Sequence, residues 1–560
     1  MARPHPWEGS YPPGARWDAP IASGTIPALL DRVAAEWGER PALVYRDTPV
    51  SFTALRTTAD RVAAGLMEAG LRPGDAVALY LPNSPWHPAC FFGVLRAGGR
   101  VVHLSPLDAP RELLHKVADS GARWLITTDF PTLLPNALRL LREGGVEAAF
   151  LAPDAEWGGI PAPAQPDFQP LPLSEALPAA WPALEETDIA LLQYTGGTTG
   201  RPKGAMLTHR NLTSAVSIYQ AWKDSDTLPR GEQRVLGVLP LFHIYALTAV
   251  LLRHLADGNC LYLYPRFDAE TAATEIERHR ITVFPGVPTM WIGLLNLPGI
   301  ETRDLSSLKQ CSSGGAPMPF EVQQKLEALL GQRIGGGWGM TETSPAGARL
   351  TANGPRRAGM IGLPLPGVEM RVVALEDPAR QLPPGEQGEI AIRGPNVFIG
   401  YWNQPGESAA CFDGGWFRTG DIGWMDEQGY FTLVDRRKNM IISSGFNVYP
   451  AAIEQAIYEH PDVEECIVIG VADAYRGQAA KAFVKLRDGA PVLTLEGLKL
   501  FLADRLGRHE MPAALELRGA LPRSPAGKLL AAKLREEEET ARGAREEETA
   551  LRAGGKEMPV

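Results

Sequence analysis

Apolar residues along the chain follow two alternating patterns, a helical spacing in one segment and a short continuous run in the next. Thr25 precedes Leu29, Leu30 and Val33, which recur at helical spacing, and an apolar run at 42–45 follows them. This arrangement predicts a helix with Thr25 as its cap and then a buried strand. Buried strands that alternate with amphipathic helices are typical of parallel sheets covered on their faces. The repeated cycle predicts strands at 76–81, 100–104, 124–127, 235–240, 260–264 and 281–284, and helices near 55–70, 85–97, 209–222, 247–255 and 269–280.

The pattern changes twice in the second half of the chain. Residues 362–434 contain short strand-like runs separated by turn signals, which predict a small β-rich subdomain. Beyond residue 438, a helix from Pro450, strands at 466–471 and 482–486 and a helix at 495–506 predict a compact α+β segment. We therefore expect an α/β protein with an N-terminal domain over 1–434 and a C-terminal domain over 439–535, joined by 435–438. The charge-rich residues 536–560 predict a solvated tail, and the proline-rich stretch 151–182 predicts a surface excursion.

Composition narrows the class of protein. A chain of 560 residues with 45% apolar residues has enough material for a large core. The net charge of −10 argues against nucleic acid as a partner, because such binding depends on many phosphate contacts from Lys and Arg. The five cysteines form no CxxC pair and the first residues do not resemble a signal peptide, so we expect a cytoplasmic protein. The longest uncharged run, 235–252, is interrupted by Gly237, Pro240 and His243, so no transmembrane segment is expected.

Residues 194–204, YTGGTTGRPKG, combine four glycines, three threonines and Lys203. Glycine lets the backbone turn its N–H groups toward a ligand, threonine adds hydroxyl donors and lysine adds positive charge, so the stretch suits a polyphosphate. It is not the common nucleotide-triphosphatase loop, which needs glycine directly before lysine, because Pro202 precedes Lys203. The simpler alternative is a flexible glycine loop.

A second glycine-rich stretch, GGGWGMTET at 335–343, offers Trp338 for a flat base, Thr341 for a phosphate oxygen and Glu342 for a hard cation such as Mg²⁺. The alternative is a helix N-terminus at which Thr341 is the cap and Glu342 interacts with the helix dipole. The sequence of this stretch is compatible with a nucleotide and metal site and with a capped helix N-terminus.

Three residues further along the chain become candidates for contacts to a nucleotide only beside these two glycine-rich stretches. Asp421, in WFRTGD, suits a bidentate contact to ribose hydroxyls, although by itself it would be taken as a turn residue. Arg436 offers a second ribose or phosphate contact. Lys528, in LPRSPAGKLL, lies on a predicted loop, where a lone lysine is ordinarily solvated.

The order of these stretches carries more information than any one of them. YTGGTTGRPKG is followed by PLFHIYA at 240–246, SSGGAPM at 312–318, GWGMTET, WFRTGD, DRRKNMIISSGFNVYP at 435–450 and PRSPAGK. In this order and over nearly the whole chain they resemble the motifs of the adenylate-forming superfamily, in its acyl-CoA synthetase branch. QYTGGTTGRPKGAMLTHRNL and MIISSGFNVYP are most similar to bacterial medium- and long-chain fatty acyl-CoA ligases, and GGGWGMTET is also similar to pimelate-type dicarboxylate ligases.

The resemblance implies a ligase that uses ATP, Mg²⁺ and coenzyme A. A carboxylate would attack the α-phosphate of ATP to give acyl-AMP and pyrophosphate, and the thiol of CoA would then displace AMP. Lys203, Thr341, Glu342, Lys438 and Lys528 would be the catalytic residues, with Glu342 as the metal ligand and Lys528 between the carboxylate and the α-phosphate. The nucleotide would be held by Thr195, Gly196, Gly197, Thr198, Thr199, Gly200, Lys203, Gly315, Ala316, Pro317, Trp338, Gly339, Met340, Thr341, Asp421, Arg436 and Lys528.

The resemblance also implies that the C-terminal domain rotates between the two steps, with Lys438 at the hinge and Gly445 and Phe446 on the face that receives CoA. The acyl pocket would be lined by His243, Tyr245, Val287, Ser313 and Gly315. His243 has a simpler alternative as a partly buried histidine with ordinary partners.

Some features leave alternatives open. Trp338 replaces the commoner tyrosine, while Ala452 and Gln478 stand where relatives often have glutamate, which puts substrate and domain-contact details in question. A dicarboxylate ligase, an aryl-acid ligase, a protein that loads a carrier protein and a nucleotide-binding pseudoenzyme are the other candidates. The sequence decides neither homodimer formation nor peripheral contact with a membrane.

Overall fold

The computed structural model describes residues 5–160, 163, 165–195, 202–225, 228–443, 446–473, 476–503, 505–507, 510–523 and 528–541. Within 438–477, the side chains of Lys438, Ile442, Phe446, Asn447 and Gly477 are also left undescribed. The chain forms two compact units. The large unit contains Met1–Met318, Val322–Thr419 and Trp424–Thr432, and the small unit contains Pro319–Glu321, Gly420–Gly423 and Leu433–Val560. No described helix is long and apolar enough to span a lipid bilayer.

Strands account for most of the predicted apolar runs and add several short pairs that the sequence pattern did not predict. They are β1 Pro41–Tyr45, β2 Thr48–Ser51, β3 Ala76–Tyr80, β4 Arg100–His103, β5 Trp124–Thr128, β6 Ala148–Ala152, β7 Gln169–Pro170, β8 Ile189–Thr195, β9 Lys203–Thr208, β10 Arg234–Gly237, β11 Cys260–Leu263, β12 Val283–Gly286, β13 Gln310–Ser313, β14 Ile334–Trp338, β15 Ala348–Arg349, β16 Met360–Pro364, β17 Glu369–Val373, β18 Gly388–Arg393, β19 Phe412–Asp413, β20 Trp416–Met425, β21 Phe431–Arg436, β22 Ile441–Ser443, β23 Phe446–Val448, β24 Val463–Asp473, β25 Gly477–Leu486 and β26 Ala514–Leu517.

Several helices begin at a residue whose side chain caps them. Thr25 accepts a hydrogen bond from the amide of Ala28 at the start of the first helix, as its position predicts, and Thr208 and Asn211 form a reciprocal capping box. The α-helices are α1 Ile26–Trp37, α2 Phe52–Glu68, α3 Trp86–Arg96, α4 Pro110–Ser120, α5 Leu134–Glu143, α6 His209–Ala221, α7 Arg253–Ala256, α8 Ala269–His279, α9 Pro288–Leu295, α10 Phe320–Leu330, α11 Pro405–Ala410, α12 Pro450–Tyr458 and α13 Leu495–Leu502. The helices with a side-chain cap are α1, α2, α6, α8 and α13.

Two sheets organise the large unit. The first has the order β7-β6-β5-β3-β4-β8-β9 and is parallel except for the antiparallel pair β8–β9. The second contains a parallel core, β14-β13-β12-β10-β11-β1, which continues through β15 and β16 into the antiparallel strands β17, β18, β20 and β21. Parallel strands with interleaved helices confirm the predicted α/β class, and the antiparallel extension is the predicted β-rich part.

One helix differs from its prediction. The pattern predicts a single α-helix near 247–255, whereas the structure contains a π-helix, Tyr245–Leu252, that continues directly into α7. Residues 246–252 are all buried. Because nearly every one of them is apolar, the sequence contains no polar face from which the helical period could be read.

The small unit has its own core. Strands β24 and β25 form a long antiparallel pair, and the other edge of β25 pairs with β22 at Gly477 and, in parallel, with β26 at 481–484. Strand β23 pairs with β22. Helices α12 and α13 cover this sheet through buried residues that include Ile453, Ile457, Leu498 and Leu502. An apolar core independent of the large unit is what the predicted C-terminal α+β segment requires.

Candidate functional site

The antiparallel pair β8–β9 brings the two ends of the predicted phosphate loop together. Thr195 is the register partner of Lys203, and Tyr194 is the register partner of Gly204. The Tyr194 hydroxyl donates to Asp119 at 2.6 Å, which fixes the position of β8 beside α4. The other loop residues in the prediction, Gly196, Gly197, Thr198, Thr199 and Gly200, lie outside the described part of the chain. Of the predicted loop residues, the structure describes Thr195 and Lys203, and Lys203 supplies the positive charge.

A segment that the sequence did not single out, residues 395–408, lies against both the phosphate-loop lysine and the predicted metal ligand. We call it the bridging segment. The Tyr401 hydroxyl donates to Glu342 Oε1 at 2.8 Å, and the Glu407 carboxylate lies 2.7 Å from Lys203 Nζ. The same ammonium lies 5.5 Å from the centre of the Tyr401 ring. Lys203 and Glu342, far apart in sequence, are thus held by two side chains of one short segment.

Backbone hydrogen bonds fix the bridging segment in place. The amide of Trp402 donates to the Gly204 carbonyl at 2.7 Å, and the amide of Met206 donates to the Gly400 carbonyl at 2.9 Å, which extends β9 by a short pairing. On the other side, the amide of Phe398 donates to the carbonyl of Glu342 at 2.8 Å. Each contact is made by main-chain groups, so the spacing between the lysine and the carboxylate is set by the fold.

Glu342 lies in a single 3₁₀ turn, Thr341–Thr343, and its side chain is buried. The amide of Met340 donates to the Thr343 hydroxyl at 3.0 Å, so Thr343 and not Thr341 stabilises the start of the turn. Asn396 donates to the carbonyls of Thr343 at 2.7 Å and Ala346 at 2.5 Å. The alternative of a helix capped by Thr341 is therefore wrong.

The surroundings of Glu342 are compatible with a magnesium ion. A buried carboxylate is a hard oxygen ligand, and Mg²⁺ is commonly held by one or two carboxylates together with substrate phosphates and water. The described residues contain no cluster of three or more His, Cys, Asp or Glu side chains that could hold a metal by themselves. A cation at Glu342 would thus need the phosphates of the nucleotide to complete its coordination.

The predicted acyl and adenine residues follow the carboxyl ends of adjacent parallel strands. Ser313 ends β13 and is the register partner of Gly286 in β12 and of Gly336 in β14, so Val287, Gly315 and Trp338 lie along one edge of the sheet. Ligands of α/β proteins characteristically bind at this edge. Ala316 and Pro317 follow β13, and Gly339, Met340 and Thr341 follow β14, so the structure brings these predicted residues together on one edge.

Tyr245 packs directly against the glycines that follow β13. A Cβ atom added at Gly314 would come within 2.9 Å of the Tyr245 ring, so only glycine allows this approach. Burial raises the pKa of Tyr245, which keeps its phenol neutral. His243 Nδ1 accepts from the amide of Tyr245 at 3.2 Å, which gives the histidine a local structural contact. In the residues that follow β10, the Leu239 carbonyl accepts from the Asn83 side chain at 2.8 Å, and the amide of Leu241 donates to the same side chain.

Trp338 is only 8% exposed. A Cβ atom at Gly347 would come within 2.5 Å of its ring, so one part of the indole already lies against that backbone. A base that stacks on Trp338 would have to use the remaining surface of the ring.

The small unit contains the predicted ribose residues and Lys528. Asp421 is almost fully buried, and Arg436 Nε lies 3.0 Å from its Oδ1 atom. Burial lowers the pKa of Lys528 to about 8, with a further lowering from Arg436 that Asp421 opposes. Near neutral pH the lysine is therefore mostly charged, but it loses its proton more easily than an exposed lysine.

Asp435 organises the start of the predicted hinge. Its carboxylate accepts from the amides of Arg436 at 2.6 Å and Ala451 at 3.0 Å, and from the Asn439 side chain at 3.0 Å. The backbone of Lys438 lies in the 3₁₀ turn Arg437–Asn439, but its side chain is not among those described. Of the predicted CoA residues, Gly445 lies outside the described chain, and Phe446 begins β23 with an undescribed side chain.

Comparison with known proteins adds independent information. The sequence profile of a family described as AMP-binding enzyme matches residues 30–402, and that of the AMP-binding enzyme C-terminal domain matches residues 452–528. A Long-chain-fatty-acid–CoA ligase of Bacillus subtilis (strain 168) is 37% identical over 561 residues, covering 96% of this chain and 99% of that protein. A Feruloyl-CoA synthase of Amycolatopsis sp is 37% identical over 501 residues, covering 88% and 95%. The solved structure of ATP-bound MatB from Rhodopseudomonas palustris matches with a TM-score of 0.81 at 30% identity, covering 91% of this chain and 98% of that one.

Proposed function

The chain belongs to the family of AMP-binding enzymes, and from this premise we propose that it is an ATP-dependent ligase that joins a medium- to long-chain fatty acid to coenzyme A. The observation that carries the proposal is the pair Lys203 and Glu342, which the bridging segment holds together through Glu407 and Tyr401. An ATP·Mg²⁺ site needs a positively charged side chain for the polyphosphate and a buried carboxylate for the metal ion.

The first step forms an acyl phosphate anhydride. An oxygen of the fatty-acid carboxylate attacks the α-phosphorus of ATP, and the bond from that phosphorus to the bridging oxygen breaks, so pyrophosphate leaves. The carboxylate is already ionised at neutral pH, so this step requires no general base. Lys203 neutralises charge on the β- and γ-phosphates, and Thr341 contacts the α-phosphate. Mg²⁺ bound at Glu342 would supply further charge neutralisation to the triphosphate.

Lys528 is assigned to this step alone. We assign its ammonium group a place between the carboxylate and the α-phosphate, where it would offset the repulsion between two anions that must approach each other. Asp421 and Arg436 hold the ribose. We assign to the phosphates Thr195, Gly196, Gly197, Thr198, Thr199 and Gly200. We assign to the base and the reacting carboxylate Gly315, Ala316, Pro317, Trp338, Gly339 and Met340.

The second step transfers the acyl group to sulfur. The thiolate of CoA attacks the acyl carbon, the bond from that carbon to the phosphate oxygen breaks, and AMP leaves. We assign Gly445 and Phe446 to the CoA face and Lys438 to a hinge in 435–438, which divides a domain over 1–434 from one over 439–535. A hinge of this kind allows different residues of one domain to serve the two steps. The start of the predicted solvated tail is instead bound to the C-terminal domain, since Glu537 pairs with Arg518 at 2.7 Å and Glu538 with Lys481 at 2.6 Å.

An aliphatic acid suits the residues assigned to the acyl pocket. Val287 follows β12 and leads into α9, whose buried residues include Met290, Trp291 and Leu294. The relative from Bacillus subtilis is named for long-chain fatty acids, and its alignment extends over nearly the whole of both chains. The binding energy of an alkyl chain grows with the apolar area that is removed from water.

The test is AMP formation with ATP, Mg²⁺ and CoA across saturated monoacids of increasing length, α,ω-diacids and aryl acids such as ferulate. We expect the highest kcat/KM for medium- to long-chain monoacids and formation of one AMP per acyl-CoA. A maximum on aryl acids alone would replace fatty acids with aryl acids as the substrate class. No AMP formation with any acid would refute the ligase assignment.

A further inference from the structure

The bridging segment carries an acid that the proposed chemistry does not use. Glu407 belongs to the short helix α11, and its carboxylate is 2.7 Å from Lys203 Nζ, the group assigned to the phosphates of ATP. A carboxylate and a phosphate are alternative partners for the same ammonium group. Glu407 would therefore compete with the nucleotide phosphates for the ammonium group of Lys203.

The backbone determines that Glu407 reaches this lysine. Residues 400–402 pair with residues 204–206 directly after Lys203, and Asn403 then takes a left-handed conformation with φ of 53°. Asparagine tolerates this conformation better than most residues do. The Ser408 hydroxyl accepts from the amide of Tyr401 at 2.8 Å and donates to the Gln404 carbonyl at 2.7 Å. These bonds connect α11 to the strand-like part of the segment.

The two partners differ in their access to water. The Lys203 side chain is 13% exposed and that of Glu407 is 46% exposed. A half-exposed carboxylate can turn into solvent at little cost, whereas the lysine is held near the loop by its place at the start of β9 and by the Tyr401 ring. The exchange of partners therefore requires movement of the glutamate and not of the lysine.

We propose that Glu407 is a positioning residue that holds the Lys203 ammonium group in the absence of nucleotide and releases it to a phosphate when ATP or pyrophosphate binds. The exchange lowers the affinity of the site for polyphosphate, and so it promotes departure of pyrophosphate after the first step. This inference rests on the proposed function for the identity of the ligand, but it can be tested without any fatty acid.

The measurement is the affinity of the enzyme for pyrophosphate alone, by calorimetry, in wild type and Glu407→Gln. Because exposed ion pairs contribute modestly, we expect Glu407→Gln to tighten binding by about 2- to 5-fold. Glu407→Ala repeats the test without an amide that could still contact the lysine. Glu143→Gln is the matched control, since Glu143 forms an exposed pair with Arg139 at 2.9 Å on α5 and should leave the affinity unchanged.

A double-mutant cycle separates the exchange from a general effect of charge. In a Lys203→Met background, Glu407→Gln should change pyrophosphate affinity by less than in the wild type, because no ammonium group is left to release. An equal gain in both backgrounds, weaker binding by Glu407→Gln, or no measurable pyrophosphate binding by the wild type would each overturn the inference. The proposed function is judged separately, by acid-dependent AMP formation in the wild type.

Discussion

With the role proposed for Lys528, its lowered pKa predicts that the first half-reaction is sensitive to pH in a range where ordinary lysines do not titrate. Burial and Arg436 lower this pKa from 10.5 to about 8, against the opposing effect of Asp421. In the proposed role only the charged form offsets repulsion between carboxylate and α-phosphate, so activity should fall as the pH rises through the pKa of Lys528 in the folded protein. With a pKa of about 8, roughly nine-tenths of the lysine is charged at pH 7 and roughly one-tenth at pH 9.

The expected magnitude is therefore a fall of about tenfold in adenylation between pH 7 and pH 9. An ordinary exposed lysine would remain charged over this range and give a flat profile. The quantity to measure is the rate of pyrophosphate release in single turnovers without CoA and with ATP below its KM, because that regime reports the free enzyme. At saturating ATP the negative phosphates should raise the pKa of Lys528, so the fall in rate should occur at higher pH.

Two controls isolate the lysine. Lys528→Ala should have a low and flat profile, and conversion of supplied acyl-AMP to acyl-CoA by the wild type should not show the same limb near pH 8. A wild-type adenylation rate that stays constant up to pH 9.5 would refute the reasoning, since it would mean that the Lys528 ammonium is either not required or not perturbed.

Three further predictions concern Lys528, Tyr401 and Glu454. Lys528→Ala should lose ATP–pyrophosphate exchange yet still convert supplied acyl-AMP to acyl-CoA, and unchanged exchange would show that its assignment is wrong. Tyr401→Phe removes the hydroxyl that donates to the buried Glu342, so unfolding without metal should cost about 1.5–3 kcal/mol less, and half-maximal activity should need more Mg²⁺; equal melting temperatures and equal Mg²⁺ titrations would contradict this. Burial raises the pKa of Glu454 from 4.5 to about 7, so the small unit should lose stability as the pH rises through this window, and Glu454→Gln should remove that loss. In thermal melts the variant should match wild type near pH 4 and exceed it at pH 8, and parallel curves at all pH values would exclude the effect.

The sequence predicted the elements whose pattern is local. Thr25 marks a helix start because a side-chain cap needs only the next three residues, and the buried strands β3 and β5 appear as continuous apolar runs. The family resemblance located the residues on the edge of the second sheet, and the topology places those after β12, β13 and β14 side by side.

The bridging segment could not be predicted in the same way. Tyr401 and Glu407 lie in a stretch without helical or strand periodicity, and their partners Glu342 and Lys203 are distant in the sequence. Their roles depend on the pairing of residues 400–402 with 204–206, which is a tertiary contact with no local signal. The 3₁₀ turn at Glu342 likewise depends on Asn396, whose side chain reaches it from the same segment.

The π-helix Tyr245–Leu252 has a consequence for how pocket shape can diverge among related enzymes. Its i→i+5 hydrogen bonds accommodate one more residue per turn than an α-helix does, so it corresponds to an insertion within an α-helix. Loss of a single codon in this stretch could restore α-helical geometry and rotate Tyr245 away from Gly314 while α7 keeps its place. Relatives could thus change the shape of the proposed acyl pocket by insertion or deletion of one residue in this helix.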